Sequence, residues 1–466
     1  MATGELATTA GAGPIGAGSM GAGPIGAGPV GAGWLRSRIG ERTARGVAGT
    51  VSGLIRDGEV RPGTRLPTVR ALAAELSVSP TTIAEAWSQL RAAGLIGTGR
   101  RRGTIVLEPP SSPPPERAFS GWQNVDLEHG LPDPALLPPL EDAVAAGVHT
   151  ERFGGPVKNS LTAQLRAAVK PGWPFPAESW TVAAGGQDGM LLACQAVARP
   201  GDVIALETPA APWLRELLRR SRIHVVAVQC DENGPLPSSL TAALEHRPVA
   251  FVYQPRAQTP LGHSVPAERL AELAAVLSEE DIAVIEDDDF GPLASGPALS
   301  LGTFLRGRVL YVRSYCTAFG LELRSCVVGG SAVLVDRVRQ QRGPGSVWSS
   351  RILQDAQAFL LTDPGSAELL NRARNRYAQR RTALSEALRE NGIAVRARDG
   401  LTLWVPVAEE SRTLMTLAAN GVSVGAGSRT GNTGQPHVRL SVGQLPEDPA
   451  LVADLARMVA RAAVRS

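Results

Sequence analysis

The sequence predicts a multi-domain chain: an N-terminal winged helix-turn-helix (α+β) followed by an α/β domain. Three observations predict it. A short basic segment carries three amphipathic helical patterns and closes in an arginine-tipped hairpin. A proline-rich stretch separates that segment from the rest. Beyond it, short β-branched apolar runs alternate with helical patterns, as in a mostly parallel sheet covered by helices. At 466 residues the chain has length for two or three domains.

Apolar residues make up 43% and charged residues 20%, the balance of an ordinary globular chain. No apolar run is long enough to span a bilayer. The N-terminus lacks a basic region followed by a hydrophobic one, so no secretory signal is evident. Cys194, Cys230, Cys316 and Cys326 form no CxxC pair and no metal-ligand spacing. Buried thiols in a reducing compartment are expected, with a cytoplasmic location, no membrane partner and no metal site.

The elements follow in order. Residues 1–33 are expected to be a disordered tail, because the unit GAGPIGAG recurs and its few apolar side chains cannot offset the ordering entropy. Residues 34–108 form the first domain. Val47, Val51, Leu54 and Ile55 share one helix face, and Gly58 with Arg61-Pro62-Gly63 ends that helix. Val69, Leu72, Ala73 and Leu76 mark a second helix opening at Pro67-Thr68. A third starts with Ser79 as N-cap and Pro80 at the first helical position, where its missing N–H costs nothing. Ile83, Trp87 and Leu90 are its buried face, so Thr81, Thr82 and Glu85 face outward. Two short strands flank Gly99-Arg100-Arg101-Arg102-Gly103 as a hairpin.

A helix with a polar N-terminal face, preceded by a partner helix and followed by a basic hairpin, suits the major groove with its first turn. The hairpin arginines can neutralise phosphates or probe the minor groove. Residues 34–108 hold 12 Arg and 6 acidic residues, hence +6, while the whole chain is +3, which leaves −3 elsewhere. The positive charge sits where DNA would be. The alternative is a three-helix interaction module with solvated arginines. The stretch RLPTVRALAAELSVSPTTIAEAWSQLRAAGLIGTGRRRGTIV resembles the DNA-binding domain of GntR-type bacterial regulators. That resemblance implies a phosphate contact from Arg70 and base reading by Ser79, Thr81 and Thr82, and the wing residues Arg100, Arg101, Arg102 and Gly103 are candidates for the phosphate or minor-groove contact. Pro80 stands where many relatives carry an arginine.

Residues 109–121 are expected to be a semi-rigid Pro/Ser-rich linker. Residues 122–466 carry buried-strand runs at VIAL (203–206), HVVAVQ (224–229), VAFVYQ (249–254), IAVIED (282–287) and RVLYVRS (308–314). Gly185-Gly186-Gln187 is a turn opening a helix, and backbone N–H groups at a helix N-terminus cradle anions. The segments VDLEHGLPDPALLPPL, VAAGGQDGMLLACQAVARPGDVIALETPA, FVYQPRAQTPLGHSVP, IEDDDFG, RSYCTAFGLELR and HVRLSVG together resemble the fold-type I aminotransferase domain. A GntR-type head joined to that domain defines the MocR group of regulators.

The resemblance implies a site for the family cofactor, pyridoxal phosphate. Gly186, Gln187, Ser314 and Arg324 would hold its phosphate, Asp287 its pyridine nitrogen, and Arg439 a substrate carboxylate. The departures are as specific. Thr317 stands at the position of the Schiff-base lysine, which threonine cannot replace. Thr259 stands for the asparagine of the NPTG loop and Asp289 for the tyrosine near the cofactor's phenolic oxygen. The stacking aromatic falls near Ala211, with Trp213 as a substitute. Lys158 and Lys170 are the only lysines, and neither sits in a pocket motif.

The resemblance therefore implies a DNA-binding regulator without enzymatic turnover, a homodimer on a double-stranded operator. Three readings of the pocket stay open. It binds pyridoxal phosphate or its amino-acid adduct non-covalently, or another phosphorylated or carboxylated effector, or nothing, serving as a dimerisation scaffold. The contrary reading is an aminotransferase-like enzyme with a vestigial head. Cys316 and Cys326, near Arg313 and Arg324, also permit a redox sensor, against the plainer reading of inert thiols.

Overall fold

The computed structural model describes residues 30–56, 59–92, 95–99, 103–107, 125–149, 161–342, 349–431 and 434–463. The chain divides into two units, residues 1–118 and 119–466. The predicted linker, the wing arginines 100–102 and the tail through residue 29 lie outside the described residues.

The first unit contains α1 (Ala32–Arg36), α2 (Ala44–Arg56), α3 (Val69–Leu76), α4 (Pro80–Ala92), β1 (Ile96–Gly99) and β2 (Gly103–Val106). It starts earlier than the predicted boundary at residue 34. Val30 is buried and donates its N–H to the Arg65 carbonyl at 2.9 Å, and α1 follows directly. Val30 and Leu35 pack with Val47, Val51, Leu72, Ile83 and Trp87. Thr68 caps α3, accepting from the Ala71 N–H at 3.2 Å, and Ser79 caps α4, accepting from the Thr82 N–H at 3.1 Å. β1 and β2 pair antiparallel from Ile96↔Val106 to Gly99↔Gly103. Residues 63–66 lie along β2, bonded to Thr104 and Val106. The wing is thus backed by a third extended segment.

The second unit opens with β3 (Val125–Leu127), α5 (Glu141–His149) and α6 (Ala163–Val169). Then come β4 (Ser179–Ala183), α7 (Gly186–Val197), β5 (Val203–Thr208), α8 (Pro212–Arg220), β6 (His224–Asp231) and β7 (Gly234–Pro235). α9 (Pro237–Leu244), β8 (Ala250–Tyr253), α10 (Ala267–Ser278), β9 (Ala283–Asp288), β10 (Val309–Ser314), α11 (Cys316–Phe319) and β11 (Cys326–Gly330) continue it. The remainder is α12 (Ala332–Gln341), α13 (Arg351–Thr362), α14 (Pro364–Glu390), β12 (Thr402–Pro406), α15 (Glu410–Ala419), β13 (Val422–Ala426), β14 (His437–Ser441) and α16 (Pro449–Ala463).

Eight strands form one sheet in the order β4-β11-β10-β9-β8-β5-β6-β7. β10, β9, β8, β5 and β6 are parallel neighbours, and β11 runs antiparallel to both β10 and β4. Both faces are covered, which is why the strands read as continuous apolar runs. Ile204, Leu206, Val252, Ile285 and Leu310 face Met190 of α7 and Leu334 of α12. Ala205, Phe251, Val284 and Val309 face Leu270 and Leu273 of α10. A smaller sheet, β12-β14-β13-β3, joins the two ends of the unit through the parallel pair Val125↔Val422. The carboxyl ends of β4, β5, β8, β9 and β10 point the same way, and an open α/β sheet binds ligands beyond such ends. No helix among the described residues is long and apolar enough to cross a membrane.

Candidate functional site

In the first unit, Arg70, Ser79 and Thr81 are exposed and Thr82 is partly exposed at the start of α4, while Ile83, Trp87 and Leu90 are buried. The Ser79 and Thr82 hydroxyls bond each other at 2.8 Å, so the first turn is ordered before any contact with a base. Gly103 has φ +71°, and a Cβ there would meet the Arg65 guanidinium at 2.9 Å. Arg65 therefore adds a cation to the wing that the sequence reading missed.

In the second unit, a pocket of about 560 Å³ lies at the carboxyl ends of the parallel strands. Gly186, Gln187, Ser314, Arg324, Arg439 and Thr317 all line it, with Gly185, Trp213, Thr259, Asp289, Phe290 and Cys316. Gly185 takes φ +101° so that the chain can turn from β4 into α7. At Gly186 a Cβ would lie 2.9 Å from the Ser314 Cβ and 3.1 Å from Asp289 Oδ1. The absence of side chains at these two positions keeps a cradle open at the helix start, where first-turn N–H groups lack helical partners.

Arg324 has φ +37° and no hydrogen-bond or ion-pair partner among the described residues. An unpartnered guanidinium held in a left-handed backbone conformation beside a helix N-terminus suits an anion. Across the pocket, Arg439 on β14 donates from Nη2 to the Glu128 carbonyl at 2.8 Å, while its Nε is buried without a partner. Glu128, His129 and Arg429 also line the pocket, and the sequence reading assigned them no role. Arg429 pairs with Glu128 at 3.2 Å.

Asp287 is not in the lining. It is buried beneath the pocket, accepting from Gln254 Nε2 at 3.0 Å, with Oδ1 unpartnered. Burial, Asp289 and Asp288 push its carboxyl well above the usual carboxylate range. Asp289 reaches the pocket instead, and burial with the neighbouring Asp288 charge pushes it up to about 6. The side is right for both residues, but β9 ends at Asp288, so only Asp289 projects past the strand end. Asp288 takes the opposite course. Burial opposes its charge, yet Arg313 and Arg256 hold it down at about 2. Arg256 Nε and Nη2 donate to it at 2.8 and 2.9 Å and Arg313 Nε at 2.7 Å.

Among the described residues the pocket lining contains no lysine. Lys170 is exposed in a 3₁₀ turn after α6, and Lys158 lies outside the described residues. Trp213, not Ala211, supplies the aromatic wall.

Residues 43–106 match the family "Bacterial regulatory proteins, gntR family", and residues 131–453 match "Aminotransferase class I and II". A relative from Salmonella typhimurium, the vitamin B6 salvage pathway transcriptional repressor PtsJ, is 31% identical over 89% of this chain and 98% of its own length. The chain belongs to the MocR-type transcriptional regulators. The regulator is also similar to the HTH-type transcriptional regulator TauR of Rhodobacter capsulatus, 25% identical over 80% of this chain and 86% of the relative. Its second unit shares the fold of a Pyrococcus horikoshii kynurenine aminotransferase, with a TM-score of 0.66 at 18% identity over 74% of this chain and 91% of that one.

Of the two thiols near Arg313 and Arg324, Cys326 is fully buried. Burial pushes Cys326 well above the ordinary thiol range, with Cys316 and Asp287 adding to it. Arg313, one of the two expected activating cations, is committed to Asp288.

Proposed function

We propose that this MocR-type regulator binds DNA as a homodimer and that its aminotransferase-like unit senses a small anionic ligand without turning it over. One observation carries the reading. Among the described residues the pocket gathers Gly186, Gln187, Ser314 and the unpartnered Arg324 as a cradle for an anion, with Thr317 and no lysine in its lining. Thr317 stands at the Schiff-base position by spacing, three residues after Ser314 and seven before Arg324. Pyridoxal phosphate supplies an electron sink when it is bound through an amine. Here Gly186, Gln187, Ser314 and Arg324 would hold its phosphate, and Thr317 would offer its aldehyde a hydroxyl in place of an amine. The ring half of the site is weaker, because Asp287 lies below the floor and the acidic Asp289 occupies the lining. Arg439 with its free Nε suits a carboxylate on the far side. Without the lysine there is neither covalent anchor nor proton shuttle, so transamination is not expected.

On the DNA side, Ser79, Thr81 and Thr82 read bases in the major groove. Arg70, Gly103 and the wing arginines Arg100, Arg101 and Arg102 contact the backbone. Two heads in a dimer would address two half-sites of a double-stranded operator in the cytoplasm.

Calorimetric titration of the full-length protein with pyridoxal phosphate tests the ligand reading. Saturable binding is expected, with the free-aldehyde spectrum retained and the heat abolished in Arg324→Ala. No heat at millimolar ligand would remove this cofactor as the effector. A spectrum of an amine-bound aldehyde would revive the enzyme reading.

A further inference from the structure

The four cysteines gave no metal-ligand spacing along the chain, but the fold assembles one of them with two other donors from separate segments. Glu207 lies near the carboxyl end of β5, Cys230 near the end of β6, and His263 in the loop after β8. Their ligand atoms all lie within 4.8 Å of one another. In the parallel register Glu207 is opposite Val228, so Cys230, two residues on, shares its face of the sheet.

The polar atoms here are orphaned. Both ring nitrogens of His263 and Oε2 of Glu207 are buried without a hydrogen-bond partner. Nε2 stands 3.8 Å from Oε2, too far for a hydrogen bond. Cys230 Sγ has a 3.9 Å contact to the Val228 carbonyl of its own strand. Buried polar groups are nearly always bonded, so Glu207 Oε2 and the facing His263 Nε2, beside a thiol, call for a common partner. A carboxylate oxygen, a thiol sulfur and an imidazole nitrogen are the donor set of zinc-like cations. Calcium and magnesium prefer oxygen alone. Zinc bonds of about 2.0–2.3 Å in a tetrahedron set donors roughly 3.3–3.8 Å apart. The Nε2–Oε2 separation of 3.8 Å is a few tenths of an ångström longer than roughly 3.3–3.5 Å for a nitrogen–oxygen pair on zinc, so the two groups would draw in slightly on binding.

The surroundings support the donors. Glu207 Oε1 accepts the Gln254 N–H at 2.7 Å, which fixes the carboxylate and leaves Oε2 free. Gln254 also donates to Asp287 at 3.0 Å and accepts the Thr259 N–H at 2.7 Å. Thr259 lines the ligand pocket. The trio therefore stands one residue behind the sensing site.

We propose that Glu207, Cys230 and His263 bind one divalent zinc-like ion, which ties β5, β6 and the loop after β8 together behind the pocket. The fourth position goes to a solvent molecule. Full-length protein loaded with cobalt(II) and dialysed tests this by elemental analysis and absorbance. One cobalt per chain with a thiolate-to-cobalt band in the near ultraviolet is expected. The near-isosteric Cys230→Ser should abolish the band, and His263→Gln, which removes a direct ligand, should cost more retention than the roughly 10- to 100-fold typical of an outer-shell change. The wild-type measurement stands whether or not a variant folds. Wild-type protein that keeps no cobalt, or a band that survives Cys230→Ser, overturns the proposal.

Discussion

Asp288 holds two arginines at once, and that arrangement is unforgiving. Removing its charge leaves Arg256 and Arg313 buried side by side with backbone carbonyls as acceptors but no counter-charge between them. Asp288→Asn is expected to destabilise the second unit by about 3–5 kcal/mol, read as a lowered midpoint in chemical denaturation. An unchanged midpoint would mean the arginines find other acceptors. The pH dependence of Asp288 has a definite sign. Its carboxyl is depressed from 3.8 to about 2, so its contribution is full above pH 4 and disappears as pH falls towards 2. Glu286 works in reverse. Burial raises it from 4.5 to about 7, against hydrogen bonds from Ser300, Tyr253 and the Leu301 N–H. Its contribution is full below pH 4.5 and is lost as pH rises through 7. Glu286→Gln should flatten the stability profile between pH 4.5 and 7, by up to about 3 kcal/mol across that range. A profile identical to wild type would assign that dependence to another group. At this scale the gathering of Gly186, Ser314 and Arg324 around one pocket was legible because they sit at fixed offsets from a turn and a strand end. Asp287 falls outside the pocket lining, a placement the sequence could not give because alternation fixes a side chain's face but not where the strand stops. The partners of Asp288 were illegible, since Arg256 and Arg313 come from different strands.

The recognition helix α4 shows what one element separates. Its buried face, Ile83, Trp87 and Leu90, holds it to α2 and α3, and its exposed first turn is left for contacts. Ser79 serves both ends, capping the helix and bonding Thr82. Two classes of substitution should therefore diverge. Arg70→Ala should weaken binding to every sequence alike and lower the salt slope by about 1. Thr82→Ala should leave the slope unchanged and alter base preference, by about 1–3 kcal/mol at one position. Competition binding at several salt concentrations, with specific and random duplexes, separates them. Equal losses on both duplexes for Thr82→Ala would remove it from base reading. These helices were legible because caps and periodicity are local signals. Helix α1 was missed because its sequence, AGWLR, continues the Gly/Ala-rich composition of the tail. What orders it is tertiary: Val30 pairs with Arg65 and Leu35 enters the core.

For the whole molecule, the dimer is the decisive expectation. Light scattering should give twice the chain mass, and nuclease protection should show two half-sites related by a two-fold axis. A monomer protecting a single site would leave the second unit without an assembly role. The order of the sheet could be anticipated only as a mostly parallel α/β layer. The antiparallel β11 and the closure of β3 onto β13 depend on pairings between distant segments, which no local pattern encodes. Thr317 has a further consequence, one of time. A ligand joined to an amine leaves only after a bond is broken, so such a sensor keeps a record of past exposure. A ligand held by N–H groups, a hydroxyl and the Arg324 fork departs as fast as those contacts loosen. A regulator built this way would follow the present concentration of its signal and forget the previous one.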